Sequence, residues 1–130
     1  MKGPMAVVAV LFFSVLSAFP ATTTVTATGS CPADPDNVQA AVNAAAPGDV
    51  IELSPGNPAT EFDFTCHGVV VPTIGITVAG IPSATVVRGP GLSGLGVRVR
   101  ASGVTIKDFT FKHFLIAVRL EAGSGGIHLH

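Results

Sequence analysis

The chain has 130 residues, 48% of them apolar and 12% charged, with 15 Gly, 10 Pro and neither Trp nor Tyr. That length accommodates one domain at most, and a charge-poor, Val/Ile- and turn-rich composition argues against disorder and against a helical bundle. The net charge of −1 hides an asymmetry, since Asp34, Asp36, Asp49, Glu52, Glu61 and Asp63 precede Arg88 with no cation among them, whereas Arg88, Arg98, Arg100, Lys107, Lys112 and Arg119 are set against only Asp108 and Glu121.

The start has the pattern of a secretory signal. Met1-Lys2 is a short positive opening, and the stretch from Met5 to Leu16 is continuously apolar or small. This is shorter than the roughly 20 apolar residues a spanning helix needs. Cleavage after Ser17, Ala18 or Ala27 fits the small-residue requirement equally, so residues 1–27 are read as the signal, with an uncleaved N-terminal anchor as the alternative. The destination expected is secreted or cell envelope, with no stable membrane span once the signal is removed. Export would place Cys31 and Cys66 in an oxidising compartment, where an even pair is expected to form a disulfide. Two thiols beside His67 make a poor zinc site, so no metal and no cofactor is expected.

Residues 28–49 read as a leader and a helix. Asp34 or Asp36 suits the N-cap, Pro35 the first turn, and Pro47-Gly48 the stop. Val38, Ala41, Val42 and Ala45 form one apolar stripe at helical spacing. A helix this short is marginal alone, so the stripe must dock. Stacked strands leave an apolar end that requires a cover, and a helix just before the first strand is placed to supply it.

Residues 50–130 carry a repeat. Ile51-Glu52-Leu53, Ile76-Thr77-Val78, Val97-Arg98-Val99 and Val118-Arg119-Leu120 recur at spacings of 25, 21 and 21 residues. Each puts apolar side chains on either side of a polar one, the period of a half-buried strand. Ala84-Thr85-Val86, Val104-Thr105-Ile106 and Ile127-His128-Leu129 follow at matching offsets. Two strands per period indicate stacked rungs rather than hairpins. Aligned this way, Ile51, Ile76, Val97 and Val118 form one inward column and Leu53, Val78, Val99 and Leu120 a second.

Two stretches carry a family resemblance. The segment from Asn37 to Ile51 (NVQAAVNAAAPGDVI) resembles the capping helix and first strand of the pectin-lyase-like superfamily, and Gly103 to Phe111 (GVTIKDFTF) resembles one of its degenerate rungs. The resemblance extends over nearly all of the chain after the signal. It implies an all-β fold, a right-handed parallel β-helix (solenoid) with a short N-terminal capping α-helix. Because nothing resembling a C-terminal cap follows Leu129, the chain is expected to be the front portion of a longer β-helix, and the free backbone groups of its last rung to make it poorly soluble on its own. Lyases, hydrolases, epimerases, adhesins and accessory proteins share that fold, which therefore does not select a function.

The residues themselves narrow the choice. The outward columns read Glu52, Thr77, Arg98, Arg119 and Ser54, Ala79, Arg100, Glu121. Arg98 and Arg119 thus fall one above the other, and like charges so placed are destabilising unless something anionic holds them. Arg98, Arg100, Arg119 and Lys107 are the candidate ligand-binding residues for an acidic polysaccharide, because guanidinium groups grip carboxylates bidentately. Glu121, diagonal to Arg98 and Arg100, supplies the alternative of a self-neutralised face.

The lyases that the resemblance implies hold calcium with outward carboxylates beside an arginine base. Here the outward columns offer only Glu52 and Glu121, roughly 14 Å apart at the strand spacing. They cannot share a calcium or act as a hydrolase pair, so catalytic residues are unknown. His128 and His130 alternate on one strand as exposed side chains or weak metal donors. Nucleic acid is not an expected partner, since no basic stripe carries aromatics. Three functions remain: a binding module for acidic polysaccharide, an enzyme whose catalytic rungs lie beyond residue 130, and a scaffold without ligand.

Overall fold

Eleven strands and one helix organise residues 20–91 and 94–130, which are the residues described by the computed structural model. The export-signal pattern, except for its last few positions, lies outside these residues. The elements are β1 (Thr22–Thr26), α1 (Ala33–Ala44), β2 (Val50–Ser54), β3 (Phe62–Asp63), β4 (Val69–Val71), β5 (Thr77–Gly80), β6 (Val86–Arg88), β7 (Leu95–Val99), β8 (Thr105–Lys107), β9 (Thr110–Lys112), β10 (Ile116–Leu120) and β11 (His128–Leu129).

The strands form three sheets, A (β1-β2-β5-β8-β11), B (β3-β6-β9) and C (β4-β7-β10), and every pairing among the described residues is parallel. From β2 onward the chain visits A, B and C in strict rotation. Side chains alternate between the shared interior and solvent. Ile51, Val78 and Ile106 are stacked in sheet A, Phe62 and Val87 in B, and Val69 and Val97 in C, all of them buried. Burying each such side chain contributes roughly 1.5–3 kcal/mol.

Two expectations change. A circuit carries three strands rather than two, because β3 is only two residues long and leaves no period-2 signal. The anticipated column of Ile51, Ile76, Val97 and Val118 also mixes sheets. Ile51 pairs with Val78, whereas Val97 and Val118 belong to sheet C beside Val69. Likewise Ala84-Thr85-Val86 leads into sheet B, away from the properly paired Thr105-Ile106 and His128-Leu129 of sheet A.

The helix covers the start of the core as the sequence reading requires. Val38 and Val42 are buried, and Ala41 and Ala45 pack against the cluster from its margin. Pro32, not an aspartate, occupies the N-cap, with no side-chain capping bond. Asp34 instead lies fully buried in the first turn. Its Oδ1 accepts from the Thr28 N–H (2.8 Å) and hydroxyl (2.7 Å), and its Oδ2 from the N–H groups of Gly29 (3.0 Å) and Asp63 (2.9 Å). Gln39 does the same work for sheet C: its amide nitrogen donates to Val70 O (2.7 Å) and its oxygen accepts from the Val70 N–H (2.8 Å). The helix thus supplies the hydrogen bonds of a missing neighbour to the edge strands of B and C, removing open edges that invite association.

For sheet A that neighbour is a real strand. Thr22–Thr26, read from sequence as signal and leader, pairs with β2 along its length, and Val25 reaches the core. Cleavage after Ser17 or Ala18 leaves β1 intact; cleavage after Ala27 removes it. The disulfide between Cys31 and Cys66 forms as expected, with Cα atoms 6.0 Å apart, and ties the approach to the helix to the loop after β3.

The opposite end is less covered. Leu115, Ile116, Leu120 and Leu129 are exposed in the last strands and the turn before them, and a cavity of about 270 Å³ is lined by Ile106, Phe109, Phe111, Val118, Leu129 and His130.

Candidate functional site

Sheet C positions the cationic side chains. In β7 the alternation sends Val97 and Val99 inward and Arg98 outward, and in β10 Arg119 stands in register with Arg98. Arg100 follows β7, its N–H donating to Val71 O (3.0 Å), and Glu121 follows β10, its N–H donating to Val99 O (2.9 Å). Continued pairing therefore brings Glu121 beside both arginines of the circuit before it. The stacked pair lies where the sequence places it, and Glu121 is diagonal to Arg98 but stands directly beside Arg100.

Glu121 is the centre of the cluster. Its Oε2 accepts from Arg98 Nε (3.0 Å) and Nη2 (2.9 Å), and its Oε1 from Arg100 Nε (2.6 Å). Arg119 Nε stands 3.7 Å from Oε2, a looser ion pair. The glutamate side chain is 14% exposed, whereas those of Arg98, Arg100 and Arg119 are 36%, 49% and 52% exposed. Hydrogen bonds from Arg100 and Arg98 hold its carboxyl below the ordinary glutamate range. Three guanidinium groups against one carboxylate leave an excess of two positive charges on this face.

Sheet B shows the contrast. Arg88 stands in register between Asp63 and Lys112 on the outer face. Arg88 Nη2 contacts Asp63 Oδ2 at 3.0 Å and Arg88 Nε lies 3.8 Å from Glu61, while Lys112 Nζ donates to Glu61. Two cations and two carboxylates close into a neutral network. The acidic first half and basic second half of the sequence thus neutralise each other here, circuit against circuit. Burial works to raise the Asp63 carboxyl, but hydrogen bonds from Thr65 and the Arg88 charge outweigh it and the net direction is downward.

Lys107 does not join the cluster. It lies on β8 in sheet A, in register with Ala79. Glu52 is also on sheet A, beside Thr24, so it and Glu121 belong to different sheets, not to neighbouring columns of one face. The sequence alignment merged faces that the chain separates at its corners.

A cleft of about 450 Å³ adjoins Arg98. The loops on either side bring Thr65, His67 and Pro90 to its walls, and Val70, Leu95 and Arg98 line it toward the sheet. Close backbone approach makes the site possible: a Cβ on Gly68 would lie 2.1 Å from Gly96 O in the next circuit. His67 contributes a ring held between Asp36 Oδ1 (3.0 Å from Nε2) and Gly68 O (2.9 Å from Nδ1). No sequence signal marked His67 for this cleft, because the corner that brings it to Arg98 is irregular backbone.

His128 and His130 are exposed with near-parallel rings, centroids 6.5 Å apart. Among the described residues no three His, Cys, Asp or Glu side chains converge on a metal-sized point. Among them, too, no helix is long and apolar enough to cross a membrane.

Both Glu121 and Asp63 titrate lower in the folded chain than their ordinary values of 4.5 and 3.8. Their contribution to stability is therefore complete above those values and lost as pH falls through the depressed ones. Urea unfolding of the intact protein is expected to show a steepening loss of stability below about pH 4.5, shallower in Glu121→Gln, which lacks the Glu121 titration. Equal acid profiles for the two proteins would refute it.

Compared with family models, with curated proteins and with solved structures, the chain gives no match.

Proposed function

We propose that this chain is a secreted or cell-envelope module, built as a right-handed parallel β-helix of the pectin-lyase-like kind, that binds an acidic polysaccharide along sheet C. Support for the architecture is the rotation of the chain through three all-parallel sheets. Crossovers between parallel strands of one sheet are right-handed in about 98% of cases. The Cys31–Cys66 disulfide accords with an oxidising destination.

The observation that carries the binding reading is the unbalanced cluster of Arg98, Arg100 and Arg119 about Glu121, set against the balanced ion pairs of sheet B. Stacked like charges are destabilising, and a repeating polyanion laid across the strands would relieve them. The adjoining cleft is within the usual size range for a small-molecule site, about 300–1,000 Å³. It gives one sugar unit a walled position beside Arg98. Lys107, on sheet A, takes no part.

Affinity chromatography on immobilised polygalacturonate or alginate tests the reading. The protein is expected to be retained at low ionic strength, where exposed charges are least screened, and released by salt. Arg98→Ala/Arg119→Ala is expected to weaken binding about 10- to 100-fold, equivalent to about 1–3 kcal/mol for two charge-assisted contacts. Because the variant relieves a repulsion, its fold should survive, as circular dichroism would report. Absence of retention at low salt would remove the proposal.

A further inference from the structure

The arginine cluster is not empty: it holds a carboxylate belonging to the chain itself. Glu121 takes the Nε and Nη2 of Arg98 on one oxygen and the Nε of Arg100 on the other, at 3.0, 2.9 and 2.6 Å. These are the donors and the spacing that a uronate carboxylate would use. We infer that Glu121 is a built-in competitor, which makes the site a receptor for multivalent polyanions and closes it to single acid sugars. The inference rests on the binding reading of sheet C.

Tethering gives the internal carboxylate its advantage. Glu121 is held beside Arg98 and Arg100 by the bond from its own N–H to Val99 O, so its effective concentration at the arginines far exceeds that of any free acid. A monomeric uronate has one carboxylate to offer against it and no second contact. A polymer differs because it engages several points at once. Arg119 is the most exposed of the three guanidinium groups and the most loosely held, at 3.7 Å from Glu121. It offers a first anchor, and Arg98, shared between the cluster and the cleft, offers a second on the neighbouring strand. Once a chain is held at Arg119, its next carboxylate competes with Glu121 on intramolecular terms. The glutamate therefore sets a threshold in valence rather than blocking the face.

Isothermal titration of the intact protein and of Glu121→Gln, with polygalacturonate and with monomeric galacturonate as probes, separates the possibilities. Wild type is expected to bind the polymer and to show no heat with the monomer. Glu121→Gln is expected to bind the polymer about tenfold more tightly and to acquire measurable monomer binding. Glu121→Asp keeps the charge but shortens its reach, and should fall between; circular dichroism of both variants checks that the fold is kept. If wild type binds the polymer and folded Glu121→Gln binds equally or less tightly, the competitor role is overturned while the binding reading stands. If neither protein binds either probe, both fall. If Glu121→Gln alone binds the polymer, Glu121 blocks the face outright, and both the valence threshold and the binding role of the native chain are overturned.

Discussion

Asp34→Ala is expected to destabilise the protein by about 3 kcal/mol, lowering its melting temperature by more than about 10 °C. The carboxylate is fully buried and accepts four hydrogen bonds, three of them from backbone N–H groups of Thr28, Gly29 and Asp63. Alanine leaves those donors without a partner, and a buried orphan costs about 1–3 kcal/mol. The total stays near the lower sum because Thr28 and Gly29 are exposed enough to find water. Asp34→Asn sharpens the test. Its amide has one oxygen where the carboxylate has two, so an NH₂ group must meet N–H donors on one side. Asparagine should therefore recover no more than about half of the loss. Hydrogen exchange at the Asp63 amide should accelerate in both variants, since that N–H donates to the Asp34 carboxylate at 2.9 Å. Unchanged urea midpoints would mean that the capping helix is not held through Asp34.

How Asp34 escaped its sequence-based role explains where sequence reading works here and where it stops. An aspartate ahead of an amphipathic stretch reads as an N-cap because that is what the local chain rewards. Tertiary demand overrode it: the edge strand of sheet B needed an acceptor, and the helix turned its carboxylate toward Asp63. The helix itself was legible, since the Val38–Val42 stripe repeats over a full turn and docks as its period requires. β1 was not, because Thr22 to Thr26 carries one buried apolar residue, Val25, and a strand marked by one position is indistinguishable from a polar leader.

The register was also legible, but in the glycines rather than the aliphatics. Gly48, Gly75, Gly103 and Gly126 all adopt left-handed backbone, with φ of 93°, 71°, 70° and 60°. Each lies three positions before a member of the sheet A column, Ile51, Val78, Ile106 and Leu129. Aligning on them would have paired Ile51 with Val78 and kept Val97 out of that column. Aliphatic triplets recur on every face and so cannot name the sheet, whereas a positive-φ glycine three positions before the sheet A column recurs in every circuit. The arginine pair survived the misalignment because Arg98 and Arg119 fall in the same sheet on consecutive circuits, where parity and spacing are both sufficient. Lys107 did not, since its triplet belongs to sheet A.

Loss of the disulfide is the other large effect expected. Cys31 and Cys66 are separated by 35 positions, and a closed loop of that size restricts the unfolded chain by about 4 kcal/mol. Replacing both by serine should lower stability by about 2–4 kcal/mol in urea unfolding, without changing the strand content of the native state. The chain-entropy account places this effect in the unfolded ensemble, and the Asp34 effect belongs to the native state. On that account alone the two should add. The geometry gives a reason for them not to. Asp34 joins Thr28 and Gly29 to Asp63, and the disulfide joins Cys31 to Cys66, so both fasten the same two stretches of chain to each other. Either fastening alone ties the first turn of the helix to the stretch around β3; removing both leaves the helix held by Gln39 and its buried stripe. The combined loss should therefore exceed the sum by about 1 kcal/mol. A double-mutant cycle built on Asp34→Asn, mild enough to leave the double variant folded, measures that difference. Strict additivity would confine the disulfide's influence to the unfolded chain and leave the buried aspartate as the clamp that acts in the folded state.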